Sequence, residues 1–163
     1  MRRTESLSLL AIVLSALLAG CANKECYDNQ NTLPLARFFS MQTRRQMQLS
    51  ATTVYGVGAP HDTLIADSAT LEQVCLPLRP DAAETRFVFR YESEGAPEAD
   101  TLAFRYQARP WFASEQCGVV YYYHIDSIGH TRHLIDSVAV PGMLITNANR
   151  PNIEIYLREE VAQ

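Results

Sequence analysis

Alternation of apolar and polar side chains at every second position is the feature that most constrains how this chain folds. It is clearest in residues 85–91 and 101–107, whose core-facing side chains are predicted to be Phe87, Phe89, Tyr91, Leu102, Phe104 and Tyr106. A period of two is typical of a β-strand with one buried face. We therefore expect these two segments to pair as a hairpin across an acidic loop.

Residues 117–140 carry a second hairpin signal. Two runs rich in β-branched and aromatic residues flank the dipeptide Gly129-His130. Glycine supplies the positive φ that a two-residue turn requires, so this dipeptide is predicted to be the turn. The register that follows from it places Tyr121 and Tyr123 on the core face.

Short strand-like runs bounded by turn signals recur about every 8–12 residues, and no window after the first twenty residues has a helical period. Pro77 marks residues 71–78 as an edge strand or a bulge, and residues 109–112 (Arg-Pro-Trp-Phe) are expected to interrupt the strands. Parallel pairing needs long crossovers, for which no helices are found. The sequence predicts an all-β fold, a single antiparallel β-sandwich of about eight or nine short strands, with a β-barrel as the alternative.

The start of the chain has the pattern of a signal peptide. Arg2 and Arg3 are basic, and the apolar run 7–18 is too short to span a bilayer, which needs about 20 residues. The run leads into Leu-Ala-Gly and then Cys21, which resembles the bacterial lipoprotein signal. That resemblance implies diacylglycerol on the Cys21 thiol, cleavage before Cys21 and acylation of the new N-terminus. A plain secretory signal is the alternative.

This interpretation divides the chain into three parts. Residues 1–20 are the lipoprotein signal peptide, residues 21–34 the lipidated N-terminus and tether, and residues 35–163 the β-sandwich domain. The formal charge of −4 becomes −5 when residues 1–20 leave, because they hold two arginines and one glutamate. An acidic, exported domain is not expected to bind nucleic acid, and the expected membrane contact is the lipid.

Three cysteines remain besides Cys21, an odd number for an oxidising compartment. We predict a Cys26–Cys117 disulfide that pins the N-terminal segment to the start of the second hairpin. Closing a loop of about 90 residues would stabilise the fold by up to about 4–5 kcal/mol. Cys75 is then free, and we expect a buried, inert thiol because no neighbouring residue in the sequence would activate it.

The predicted register of the second hairpin brings His124, Asp126 and His133 onto one face. Two histidines and a carboxylate are a possible metal site or acid–base group. The alternative is a solvent-facing polar surface on which Asp126 pairs with His133.

Aspartate followed by Ser or Thr also recurs, at Asp62, Asp100, Asp126 and Asp136. We interpret these residues as turn and strand-start chemistry. Calcium ligation is the alternative, although no Asp-x-Asp-x-Asp-Gly loop is present.

Trp111, Phe112 and Tyr122 are the aromatic side chains expected to be exposed and are therefore candidates for ligand binding, since aromatic rings stack on sugars. The motifs of serine hydrolases and zinc proteases, Gly-x-Ser-x-Gly and His-Glu-x-x-His, are absent from the sequence. We therefore predict a binding protein rather than an enzyme, with no cofactor.

A set of ordered motifs extends over nearly all of the chain after residue 20: the lipobox Cys21 followed by Cys26, Leu76-Pro77-Leu78, Asp100-Thr101-Leu102, Glu115-Gln116-Cys117-Gly118, Ile135-Asp136-Ser137-Val138 and Asn152-Ile153-Glu154-Ile155-Tyr156. Together they resemble a family of small Bacteroidota lipoproteins classed as a domain of unknown function. The resemblance implies an envelope location and a β-rich domain, and it implies no activity or catalytic residue.

We expect the protein to be anchored by lipid in the cell envelope, at the outer membrane and facing the periplasm. Exposure on the cell surface is the alternative. Its expected function is that of a non-catalytic accessory module that binds an envelope protein. A periplasmic or surface glycan or small-molecule binding module is the alternative, and metal binding at the His/Asp cluster is a third possibility.

Overall fold

The computed structural model describes residues 32–58, 61–92, 98–115, 118–146, 148 and 150–158. These residues form ten strands: β1 Leu35–Ser40, β2 Leu49–Val57, β3 Thr63–Leu71, β4 Gln73–Cys75, β5 Glu84–Tyr91, β6 Glu98–Ser114, β7 Gly118–His130, β8 Ile135–Ala139, β9 Leu144–Ile145 and β10 Ile153–Leu157. Within these ranges the chain has no helix that is long and apolar enough to cross a membrane.

The ten strands form two sheets, and the predicted all-β sandwich is confirmed. One sheet has four strands in the order β4-β1-β10-β8, and the other has six in the order β3-β2-β5-β6-β7-β9 and is curled like half a barrel. The largest fully buried side chains are Phe38, Phe87, Phe89, Phe104, Leu76, Leu102, Ile125, Ile135, Ile145, Ile153, Ile155 and Leu157. They come from both sheets, so the core lies between two facing layers.

The hairpin predicted from residues 85–91 and 101–107 is present as β5 and β6. Phe87 pairs with Leu102, and Thr85 pairs with Phe104, in one continuous antiparallel register. All six side chains predicted to face the core are buried. Strict alternation therefore determined both the pairing and the buried face.

The expectation of purely antiparallel pairing is wrong at one place. β1 and β10 pair in parallel, with Ala36 opposite Ile153 and Ser40 opposite Leu157. The connection between these two strands is not a helix but most of the domain, including the whole six-stranded sheet. Two strands that are distant in sequence therefore form the central pair of the smaller sheet.

The predicted turn at Gly129-His130 is also wrong. β7 continues through both residues, and His130 pairs with Leu102 of β6. Gly129 does not have a positive φ, in contrast to Gly118 and Gly142. After β7 the chain crosses to the other sheet, where β8 pairs with β10, so β7 and β8 are not the two arms of a hairpin.

Residues 109–112 do not interrupt the strands, in contrast to the prediction. β6 runs through them to Ser114 and pairs with β7 over this whole length, with Pro110 opposite Tyr121. Beyond Arg105 no described strand pairs with the other side of β6. Proline is tolerated there because an edge strand does not need every backbone N–H.

Cys75 is exposed and free, so the expectation of a buried thiol is wrong. It ends β4, an edge strand, and its neighbours Val74 and Leu76 are buried. Alternation along the strand therefore directs the Cys75 side chain outward. Cys21, Cys26 and Cys117 lie outside the described residues, as does the predicted signal peptide.

Candidate functional site

The strongest candidate site is the far end of the β6–β7 hairpin, residues 109–114 and 118–122, which we call the arm. β5 pairs with β6 only as far as Arg105, and β9 pairs with β7 only at Tyr123 and His124. In the described chain the arm is thus a two-stranded ribbon that extends past the rest of its sheet. Gly118, with a φ of 68°, lies beside the turn, where a left-handed conformation favours glycine.

Two tyrosines fix the base of the arm to the sandwich. The Tyr123 hydroxyl donates to the carbonyl oxygen of Leu78 at 3.0 Å, and burial raises the pKa of Tyr123 to about 12. The Tyr106 hydroxyl donates to the Arg79 carbonyl at 2.8 Å and lies 2.6 Å from the Thr85 hydroxyl. The two rings meet edge to face with centroids 5.3 Å apart. An isolated two-stranded hairpin is only marginally stable in water. These contacts at the base therefore support the arm and fix its position.

One face of the arm, which we call the inner face, continues the core-facing side of the sheet. Tyr123 faces the core, and counting back by two along β7 gives Tyr121 and Val119, which pair with Pro110 and Phe112. Phe112 and Val119 are nevertheless 63% and 55% exposed. Tyr121 is 37% exposed, so its predicted burial is wrong although its predicted face is right. An apolar core face is left uncovered here.

The opposite face of the arm, the outer face, holds Arg109, Trp111 and Tyr122. The rings of Trp111 and Tyr122 stack with centroids 5.8 Å apart and planes 16° from parallel. Trp111 is 57% exposed, while Tyr122 is partly buried. Of the three predicted ligand-binding residues, Trp111 and Tyr122 are therefore brought together. Phe112 lies on the inner face, because adjacent residues of a strand point to opposite sides.

The described chain begins beside the inner face. Thr32 and Leu33 line a cavity of about 290 Å³ together with Val119, Tyr121 and Tyr123. Leu33 is 47% exposed. The N-terminal segment therefore joins the sandwich at the same end as the arm.

The predicted cluster of His124, Asp126 and His133 is not formed. The Nδ1 of His124 lies 3.5 Å from Oδ1 of Asp126, and Asp126 also accepts from the Gln107 amide at 3.2 Å. His133 follows the end of β7, and its backbone N–H binds Asp100 instead. Among the described residues no group of three His, Cys, Asp or Glu side chains is placed to hold a metal ion. The error comes from the wrong turn, since the register depended on it.

Asp100 was interpreted from the sequence as a turn or strand-start residue, but the structure gives its side chain a different role, with five hydrogen-bond donors around it. It is fully buried, and its two oxygens accept from the backbone N–H groups of His133, Leu134 and Ile135 at 2.8–2.9 Å. The hydroxyl of Thr131 donates to it at 2.7 Å, and that of Tyr91 at 3.2 Å. Burial raises the pKa of this carboxyl, but the hydrogen bonds to its charged form outweigh burial and hold the pKa below the usual value. Asp100 thus fixes the crossover between the sheets, a structural role.

A polar concavity of about 410 Å³ lies on the outer surface of the six-stranded sheet. Glu84 forms ion pairs with Arg86 at 2.6 Å and Arg105 at 2.8 Å, and these two partners lower the pKa of Glu84, Arg105 more than Arg86. The Nε2 of His130 lies 2.9 Å from the carbonyl oxygen of Asp136. Since Glu84 neutralises one charge and both arginines are exposed, this surface is a weaker candidate than the arm.

Comparison with known proteins identifies the family. Residues 51–157 match a family of unknown function, DUF6452. The match covers more than half of the chain and every strand from β3 to β10, so the chain belongs to this family. No curated protein and no solved structure matches the chain.

Proposed function

We propose that this DUF6452 protein is a lipid-anchored, non-catalytic accessory protein of the bacterial cell envelope that binds a protein partner through the outer face of its arm. The observation that carries the proposal is the exposure of Trp111, stacked on Tyr122 beside Arg109, on a ribbon that extends past the sandwich. Trp, Tyr and Arg are the residue types most enriched among the energetically dominant positions of protein interfaces.

The position of these residues supports a protein partner further. Among the described residues, no further strand pairs with either long edge of the arm. An edge of this kind is where an extended segment of another chain can add. The tyrosine contacts at the base hold the ribbon in place before a partner arrives. Binding to a fixed surface avoids part of the ordering cost of association.

The location in the proposal comes from the sequence. The basic residues, the short apolar run and Cys21 support a lipoprotein, and the ordered motifs support a Bacteroidota origin. We place the protein at the outer membrane, facing the periplasm. The lipid localises the domain, and the arm selects the partner.

A glycan is the second candidate ligand, because the Trp111 ring is exposed and one of its sides is free of the Tyr122 stack. Sugar sites combine such a ring with a concavity and polar groups. The cavity next to the arm is lined by Val119 and Tyr121 and not by Trp111. This arrangement favours the protein partner over the glycan.

The test compares two exposed apolar residues on different surfaces. Trp111→Ser removes the outer-face ring, whereas Leu64→Ser removes an equally exposed side chain (59%) from edge strand β3. Lipidated protein is crosslinked mildly in cells, purified by affinity and analysed by mass spectrometry. We expect one envelope protein at a constant ratio with the native chain and with L64S, and its loss with W111S. Equal recovery of the envelope protein with W111S and L64S would refute the outer face as the binding site for a protein. Binding of W111S to a glycan array would not change that conclusion.

A further inference from the structure

We infer that the inner face of the arm rests on the bilayer that holds the lipid anchor, with Phe112, Val119 and Tyr121 in the interfacial layer. The inference rests on the lipid anchor of the proposed function and adds an orientation to it. The inner face is distinct from the outer face that the partner is proposed to bind. Accordingly the two proposals use opposite sides of one ribbon.

The composition of the inner face suits a membrane surface. The inner face is a core-facing surface with no covering sheet, and its exposed side chains are apolar or aromatic. Residues 109–122 contain only two charged side chains, Arg109 and Glu115. Aromatic residues with little charge are typical of segments that lie at the boundary between headgroups and acyl chains.

The inner face also lies near the point where the tether leaves the domain. Leu33 lines the cavity at the inner face, and Cys21 precedes Leu33 by twelve residues. Twelve residues span at most about 40 Å when fully extended. The tether therefore leaves the sandwich at the same end as the arm, which favours contact between that end and the bilayer.

The arm does not need to supply the anchoring itself. Stable membrane attachment comes from several acyl chains. A small apolar contact a short tether away adds to an attachment already made, so it acts at high effective concentration. The effect of this contact is to orient the domain. Because anionic lipids would repel the carboxylate of Glu115 at the turn, the contact suits a zwitterionic surface better than an anionic one.

Trp111 is the only tryptophan of the chain. Replacing it with phenylalanine and introducing one tryptophan elsewhere therefore gives a single indole fluorophore at a chosen position. The double variant W111F/F112W places the only indole on the inner face, at a side chain that is already 63% exposed. The matched control W111F/R45W places it at exposed Arg45, between the end of β1 and the start of β2. That loop lies at the end of the sandwich away from Leu33.

The full lipidated protein is inserted into phosphatidylcholine vesicles with plain acyl chains or with chains brominated near the headgroup. Bromine quenches an indole at near contact. We expect the emission of W111F/F112W to fall at least twofold in brominated vesicles and that of W111F/R45W to stay unchanged, with native Trp111 between them. Equal emission of the two variants, in protein that floats with the vesicles, would overturn the orientation alone. Failure of the native protein to float would overturn the lipid anchor, and with it both proposals.

Discussion

Replacing Asp100 with alanine tests how the two sheets are joined. The substitution removes the acceptor for five donors, of which Thr131 and His133 are exposed enough to bind water instead. The Ile135 N–H and the Tyr91 hydroxyl are buried, and the Leu134 N–H is half-buried. Each buried donor left without a partner costs about 1–3 kcal/mol. Because burying the carboxylate also had a cost, we expect a net loss of about 3–4 kcal/mol.

Such a loss is large for a domain whose whole stability is of the order of 5–15 kcal/mol. Urea unfolding followed by circular dichroism measures it, and the melting temperature should fall by roughly 10–15 °C. The control is Asp136→Ala, which removes one 3.2 Å ion pair with half-exposed Arg158 and should cost under about 1 kcal/mol. A loss at Asp100 no larger than that at Asp136 would refute the reasoning.

The Asp100 carboxylate should also make the stability of the fold sensitive to acid. Its pKa is lowered in the folded state, so its contribution is complete above the unfolded pKa of about 3.9 and is lost as the pH falls through the lower folded value. Native protein should therefore lose stability below about pH 4. The Asp100→Ala variant should show a shallower dependence on pH there, and an equally steep one would show that other groups carry the acid response.

Other predictions concern the arm and the cysteines. Tyr123→Phe removes the donor to the Leu78 carbonyl at the base of the arm and should cost about 1 kcal/mol in urea unfolding, whereas an unchanged value would show that the base does not depend on this bond. Mass spectrometry of unreduced protein should find Cys26 joined to Cys117. The exposed Cys75 should react with a thiol reagent without denaturant, and resistance to that reagent would contradict its exposure.

The sequence was sufficient where the information was local. The pairing of β5 with β6 follows from alternation in two neighbouring segments, and Phe87 and Leu102 were assigned to the core correctly. The same alternation is present in β10, where Ile153 and Ile155 are buried. A period of two is a property of each strand alone, and two segments separated by a short loop have few other ways to pair.

The sequence was insufficient where the outcome depends on distant segments. Gly129 has the composition of a turn, but β6 is long enough to keep β7 paired past it. Tyr121 points toward the core side as expected, yet its exposure depends on how far the opposite sheet extends. Asp100 looked like a residue that starts a strand, while its acceptor role arises from backbone groups 33 to 35 residues later. The parallel pair of β1 and β10 joins segments more than 110 residues apart.

The arm combines both cases. Its residues were recognised as aromatic and as candidates for exposure, and two of them, Trp111 and Tyr122, stack. Because residues 109–112 were expected to interrupt the strands, the continuous ribbon formed by β6 and β7 was not predicted. The signal available was the pair Trp111 and Phe112, because adjacent residues of a strand point to opposite faces and this pair therefore makes both faces apolar.

The claim that a partner binds the outer face is tested most directly by a photoreactive amino acid placed at position 111 in living cells. We expect one discrete adduct between this chain and a single envelope protein after irradiation. We also expect no such adduct when the same group stands at Leu64, which is as exposed as Trp111 but lies on another surface. Adducts only between copies of this chain, or the same adducts from both positions, would contradict the claim.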